Sequence, residues 1–144
     1  MDIIYDLYLL KYASGISVYS TFESLPITPH DIRGIFISAN AYIGKECVIF
    51  HQVTIGSNTL LDSKKSGTST IGNNCYIGVG AKIIGNVRVG NNCRIGANAV
   101  VVNDVPYNAV VVASRANVII REDIMNNTYK SWSEYIKIKG NETI

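Results

Sequence analysis

Written in rows of six from Ile37, the chain puts branched aliphatic residues in one column: Ile37, Ile43, Ile49, Ile55, then Ile71, Ile77, Ile83, Val89, Ile95 and Val101. Glycine follows the aliphatic at Gly44, Gly56, Gly72, Gly78, Gly90 and Gly96. Four places after the aliphatic, a small or branched residue recurs at Ala41, Cys47, Val53, Cys75, Ala81, Val87, Cys93 and Ala99. A helical period of about 3.6 residues cannot hold this phase, whereas a fixed period of six with Ile and Val at the repeated place is the signature of a β-helix. The predicted fold is therefore all-β, a parallel β-helix in the form of a triangular prism. Each unit supplies a short strand and a corner, three units close a coil, and coils stack through pairing with the coil above and below. The aliphatic column fills the centre. Glycine serves the positive torsion or the close approach that a corner needs, and the small column fits where the walls converge. All three cysteines fall in that small column, which reads as buried packing thiols. No Cys-x-x-Cys or Cys/His spacing suggests a metal.

Ile55 and Ile71 are sixteen residues apart rather than twelve, so about four extra residues leave the prism as a loop at about 59–70, in the stretch TLLDSKKSGTST. Insertions in such arrays gather on one face, often the binding face. Ile3, Leu7 and Leu10 stand at helical spacing ahead of Ser14 and Gly15, which predicts a short N-terminal helix within residues 2–13. Residues 16–36, with Pro26 and Pro29, read as an irregular lead-in over the open end of the prism. The expected organisation is a single domain: lead-in 1–36, β-helix 37–119, and a C-terminal tail 120–144 holding Trp132 and Tyr135 as packing aromatics.

Composition narrows the classes further. The 144 residues are 47% hydrophobic and 17% charged, as in a folded globular protein, and no apolar run reaches the roughly 20 residues of a membrane span. The net charge of +2 is dispersed, which argues against a nucleic-acid binder. The opening MDIIYDLYLLKY has neither a basic start nor a small-residue cleavage site, so the expected location is cytoplasmic.

The hexapeptide pattern, the segments IGNNCYIGVGAKIIGNVRVG and IGANAVVVNDVP, and the loop containing KKSG together resemble the hexapeptide-repeat acetyltransferases. The match is nearest to their serine acetyltransferase-like branch and covers about Gly34 to Ile120. The resemblance implies a left-handed parallel β-helix, a homotrimer, acetyl-CoA as donor, no metal, and active sites between neighbouring prisms. The fold also hosts noncatalytic members, so a noncatalytic trimeric scaffold is the rival of another class. A zinc carbonic anhydrase on this fold needs three histidine ligands, and the chain has two histidines.

Within CVIFHQVTIG the repeat accounts for Cys47, Ile49, Val53, Ile55 and Gly56, leaving Phe50, His51 and Gln52 as residues the wall does not require. By resemblance, His51 stands at the family's catalytic histidine, the base that takes the acceptor's hydroxyl proton. An imidazole, titrating near 6.5, suits that role. Its orienting partner is expected to be a backbone carbonyl, or a carboxylate such as Glu46 reaching from a neighbouring copy. The oxyanion donor is expected to be a backbone N–H or the Gln52 amide. His30, in TPHD, is expected to be structural. Serine acetyltransferases carry aspartates where this chain has Phe36 and Phe50. The expected acceptor therefore moves to a sugar or polysaccharide precursor, against whose ring the two phenylalanines would stack. Serine, or an antibiotic-type small molecule, is the alternative. For the donor, Val79, Gly80 and Ala97 match positions lining the family's pantetheine channel, and Asn103 follows on the same edge. The family's Gly-x-Pro-Ala turn appears as Ala113, Ser114, Arg115, Ala116. Arg115, Lys64, Lys65 and Arg121 are the cations expected to meet the phosphates of CoA.

Overall fold

Two or three residues suffice for each strand here, because the hydrogen-bonding partners come from adjacent coils rather than from a hairpin. In the computed structural model, which describes residues 3–140, the strands form three parallel sheets. The first face carries Gly15–Ile16, Phe36–Ile37, Thr54–Gly56, Lys82–Ile84 and Val100–Val101. The second carries Thr21–Phe22, Tyr42–Ile43, Thr70–Ile71 and Arg88–Val89. The third carries Val48–Ile49, Tyr76–Ile77, Arg94–Ile95 and Val110–Val111. In register the inward column stacks on itself, Ile37 on Ile55 on Ile83 on Val101, and likewise Ile43 on Ile71 on Val89. Every aliphatic of that column is buried, as is the small column from Ala41 to Ala99. The thiols of Cys47, Cys75 and Cys93 donate to the carbonyls of Gly72, Gly90 and Pro106 at 3.2, 3.2 and 3.0 Å, so they also tie one coil to the next.

The repeated glycines serve close approach rather than torsion. Left-handed backbone falls instead on the second residue of each corner: Asn40, Glu46, Gln52, Asn74, Asn92, Asn98 and Asn108, together with Gly34 and Gly80. Asparagine tolerates that region better than most side chains. It also supplies a ladder here, with Asn73 Oδ1 accepting from Lys45 N and Asn91 Oδ1 from Asn73 N, both at 2.8 Å. A Cβ on Gly90 would meet Tyr107 N at 2.5 Å and Tyr107 Cα at 2.8 Å, backbone that has no freedom to move aside.

The structure departs from the predicted boundaries in three places. The prism begins a coil earlier, at Gly15, since Ile16 pairs with Ile37, Phe22 with Ile43, and Ile27 bridges Val48. The spacing in this coil is 21 residues because the excursion around Pro29–Ile32 lengthens it, which hides it from a count in sixes. The loop after Ile55 is also larger than counted. Ile43 pairs with Ile71 and Ile49 with Ile77 at 28 residues' separation, so ten residues beyond the regular coil leave the wall, not four. Leu61, six places after Ile55, keeps the phase but is 99% exposed. The loop is pinned at its neck by an antiparallel bridge between Asn58 and Gly67. Finally, the last strand is Val110–Val111, short of the predicted end at 119. Val118, Ile119 and Ile120 are apolar but exposed.

The predicted N-terminal helix forms as α1 (Ile3–Lys11), tied to the first coil by the Tyr5 hydroxyl donating to Ile16 O at 2.6 Å. It and the first coil line an apolar cavity of about 360 Å³ that includes Tyr8, Leu9, Phe22 and Ile35. The described residues divide into two compact units, one ending at Ser114 and one beginning at Arg115. The second unit contains α2 (Trp132–Gly140), opened by a capping box: Glu134 Oε2 accepts from Ser131 N at 2.9 Å and from Ser131 Oγ at 2.7 Å. Trp132 and Tyr135 stack on each other at 5.4 Å. Residue 2 of the predicted helix and residues 141–144 of the predicted tail lie outside the described residues.

Because the Gly90 contact is with backbone, Gly90→Ala is expected to destabilise the first unit by about 1–3 kcal/mol, the usual cost of overpacking. Urea denaturation of the variant beside wild type checks this; an unchanged midpoint would mean the coils can separate locally.

Candidate active site along one prism edge

The edge where the chain turns from the third face to the first is built from stacked two-residue corners: Arg33-Gly34, His51-Gln52, Val79-Gly80 and Ala97-Asn98. Backbone bonds lock them in file. Gln52 N donates to Arg33 O at 2.8 Å, Gly80 N to His51 O at 3.1 Å, and Asn98 N to Val79 O at 2.8 Å. Gly34, Gln52, Gly80 and Asn98 all take left-handed torsions between 57° and 67°, which turns the first residue of each corner outward along the edge. Four of the residues read from sequence, His51, Val79, Gly80 and Ala97, therefore lie on one line, one coil above another, with Gln52 beside His51.

His51 is half-buried. Its Nδ1 is buried and makes no hydrogen bond among the described residues. Glu46 does not supply the partner within the chain: it sits on the edge between the second and third faces, where its N–H donates to Ser24 Oγ at 3.1 Å. What surrounds the imidazole is a run of rings. His30 lies 4.9 Å from His51, centroid to centroid and tilted by 54°. Phe50 lies 5.8 Å from His30 and 5.0 Å from Tyr76. Phe36 is half-exposed on the first face and pairs with Thr54, three residues past His51, so Phe50 and Phe36 stand on the two faces that meet at this edge. Beside Val79 and Ala97, on the third face, is a cavity of about 340 Å³ lined also by Phe50, Tyr76, Arg94 and Val110.

His30, read from sequence as structural, is brought by the structure to this edge. Its signal was weak, since the excursion that carries it breaks the repeat and gives no register from which to place it. Lys82 was also passed over; its ammonium donates to Gly80 O at 2.9 Å, bringing a cation to the same edge. The other donor-side residues are elsewhere. Asn103 is exposed just beyond the first-face strand Val100–Val101, a corner away from Ala97 rather than on its edge. Lys64 is exposed in the loop. Lys65 donates to Asp104 Oδ1 at 2.9 Å, which commits its charge within the chain. Arg115 and Arg121 are exposed residues of the second unit.

The pattern described as bacterial transferase hexapeptide (six repeats) matches residues 68–103. Among curated proteins, a serine acetyltransferase of Synechococcus elongatus is 40% identical over 93 residues, 63% of this chain and 36% of the relative. One of Helicobacter pylori is 37% identical over 89 residues, 62% of this chain and 51% of the relative. Among solved structures, serine acetyltransferase isoform 3 of Entamoeba histolytica, in complex with cysteine, aligns at a TM-score of 0.71 with 27% identity, over 85% of this chain and 44% of that one. Serine acetyltransferase of Brucella abortus in complex with coenzyme A aligns at 0.65 with 30% identity, over 77% and 43%. The fold is thus a left-handed parallel β-helix, and residues 68–103 carry the hexapeptide pattern of bacterial transferases. The relatives and solved structures the chain is similar to are serine acetyltransferases. The chain spans about a third to a half of the length of the curated relatives it matches. Among the described residues, no helix is long and apolar enough to cross a membrane.

Asp104 ties the loop to the last coil by accepting both Arg88 N at 3.0 Å and Lys65 Nζ. The Arg88 N–H first, and Lys65 second, hold its carboxyl below the usual range. A depressed carboxyl contributes stability above its unfolded value, about 3.9, and loses it as pH falls through the lower folded value. Proteolysis of the loop is accordingly expected to quicken as pH drops below about 4. Asp104→Asn should show the quicker cleavage already at neutral pH. Equal cleavage of variant and wild type at pH 7 would show that the loop is held by its neck alone.

Proposed function

We propose that this chain is an acetyl-CoA-dependent O-acetyltransferase in which His51 is the general base. The carrying observation is the edge itself, with a half-buried imidazole in file with two small or apolar corner residues, Val79 and Ala97, that flank a cavity. The likeness to serine acetyltransferases, one of them in complex with coenzyme A, supports the donor. Val79, Gly80 and Ala97 would line the pantetheine arm, and their small or apolar side chains leave room for it along the edge. His51 takes the acceptor's hydroxyl proton as the oxygen attacks the thioester carbon, then returns that proton to the departing thiolate. A base of this kind contributes roughly 10²- to 10⁴-fold. To accept on Nε2 the neutral ring must carry its proton on Nδ1, the buried atom. A homotrimer, in which a neighbouring prism completes the site, would supply the acceptor for that N–H.

Serine is the first acceptor to test, because every relative described above is a serine acetyltransferase, and of the structures matched one is a complex with serine and three are complexes with cysteine, a close analogue of it. The sugar acceptor suggested by sequence is the second reading. It is favoured by Phe36 and Phe50, which offer apolar rings where an amino-acid substrate would be met by carboxylates.

Purified protein, acetyl-CoA and either serine or a panel of sugars, assayed by thiol release, distinguish the two readings. His51→Ala is expected to lower kcat/KM by about 10²-fold or more while acetyl-CoA still raises the melting temperature. Unchanged turnover would remove His51 from the mechanism. No thermal shift with acetyl-CoA at saturation would favour a noncatalytic scaffold.

A further inference from the structure

The chain's two imidazoles come from different coils and meet on the candidate edge, 4.9 Å apart. We propose that His30 is a positioning residue that keeps His51 in its neutral, proton-accepting form by taking the proton the pair would otherwise share. The inference rests on the transferase reading above.

Two imidazoles at this separation cannot both be charged without cost. Unit charges about 4 Å apart repel by about 1 kcal/mol even in bulk water, and by more where one ring is half-buried. The pair therefore takes a first proton more readily than a second, and two features direct that proton to His30. His30 is exposed, so its charged form keeps its hydration, whereas His51 is half-buried. Phe50, 5.8 Å from His30, adds an aromatic ring within the range at which a cation is favoured.

The local backbone is fixed around this contact. Pro29 constrains the residue's entry, and Asp31 takes a left-handed torsion of 56° immediately after it, within the excursion that lengthens the first coil. The charged groups around the pair are few. Asp31 adjoins His30 in the chain. Arg33 begins the corner below His51 with its guanidinium over the Tyr12 ring, and Lys82 lies one coil above on Gly80 O. Arg94 lines the neighbouring cavity.

The test is the pH dependence of kcat/KM in the full chain. His30→Phe keeps a ring against His51 but removes the charge, so the acid limb is expected to move to higher pH by about half a unit or more. His30→Lys restores a cation and is expected to return the limb to the wild-type position or below it. A purely structural His30 would not separate these two variants. An acid limb unmoved in His30→Phe, or moved equally in both, overturns the proposal. Should His30→Phe fail to fold, NMR titration of the two imidazoles in wild type decides. Mutually dependent curves, with His30 charging first, support the proposal, and two independent single-site curves overturn it. Absence of acetyl transfer by the wild type to any acceptor overturns the functional reading instead, and with it the base that His30 serves, whatever the titration shows.

Discussion

Everything in this molecule depends on how closely one coil can approach the next. A parallel ladder fixes backbone separation at about 4.8 Å, and a prism must hold that spacing at its corners as well as along its walls. Glycine after six of the ten inward aliphatics removes the one atom that would keep the coils apart there: at Gly72 and Gly78 a Cβ would lie 2.8 Å from backbone of the following coil. With that contact made, the inward Ile and Val stack in columns and the cysteine thiols reach carbonyls in the coil above. The corner residues then come into file, and the candidate site is a by-product of that file. His51, Val79 and Ala97 are neighbours because the coils are, not because any side chain draws them together.

The regular part of this arrangement was legible from the sequence because a period of six is a physical constraint repeated many times, and each repeat corroborates the others. The phase alone identified the inward column, the small column, and His51 as a residue the wall did not need. What escaped lay where the constraint lapses. The first coil was unreadable because its excursion carries Pro29, His30 and Asp31 out of phase, and His30 went with it. The loop was undersized because Leu61 imitates the phase without burying itself. The glycines illustrate a subtler limit. Sequence offered two reasons for them, torsion and close approach, and only coordinates show that the left-handed positions fall two residues on, largely on asparagine.

The candidate site combines a residue legible from sequence, His51, with an illegible environment. Phe36 and Phe50 were expected to turn the acceptor away from serine, while the relatives point toward it. These are different kinds of information, one local chemistry and the other descent. The geometry narrows the question by showing that the two phenylalanines stand on different faces, with the imidazole at the edge between them.

A stack in which each layer touches only its neighbours has a characteristic weakness: its ends can loosen one layer at a time. The loop between Asn58 and Gly67 acts against this. Leaving the wall in the third coil, it bonds to the fourth through Lys65 O and Asn86 N at 2.9 Å, and to the fifth through the Lys65 ammonium and Asp104. It is a strap running across the layers rather than along them. Three layers so joined open together, and the corners of Val79 and Ala97, which lie on the lower two, are kept from fraying with the end of the stack.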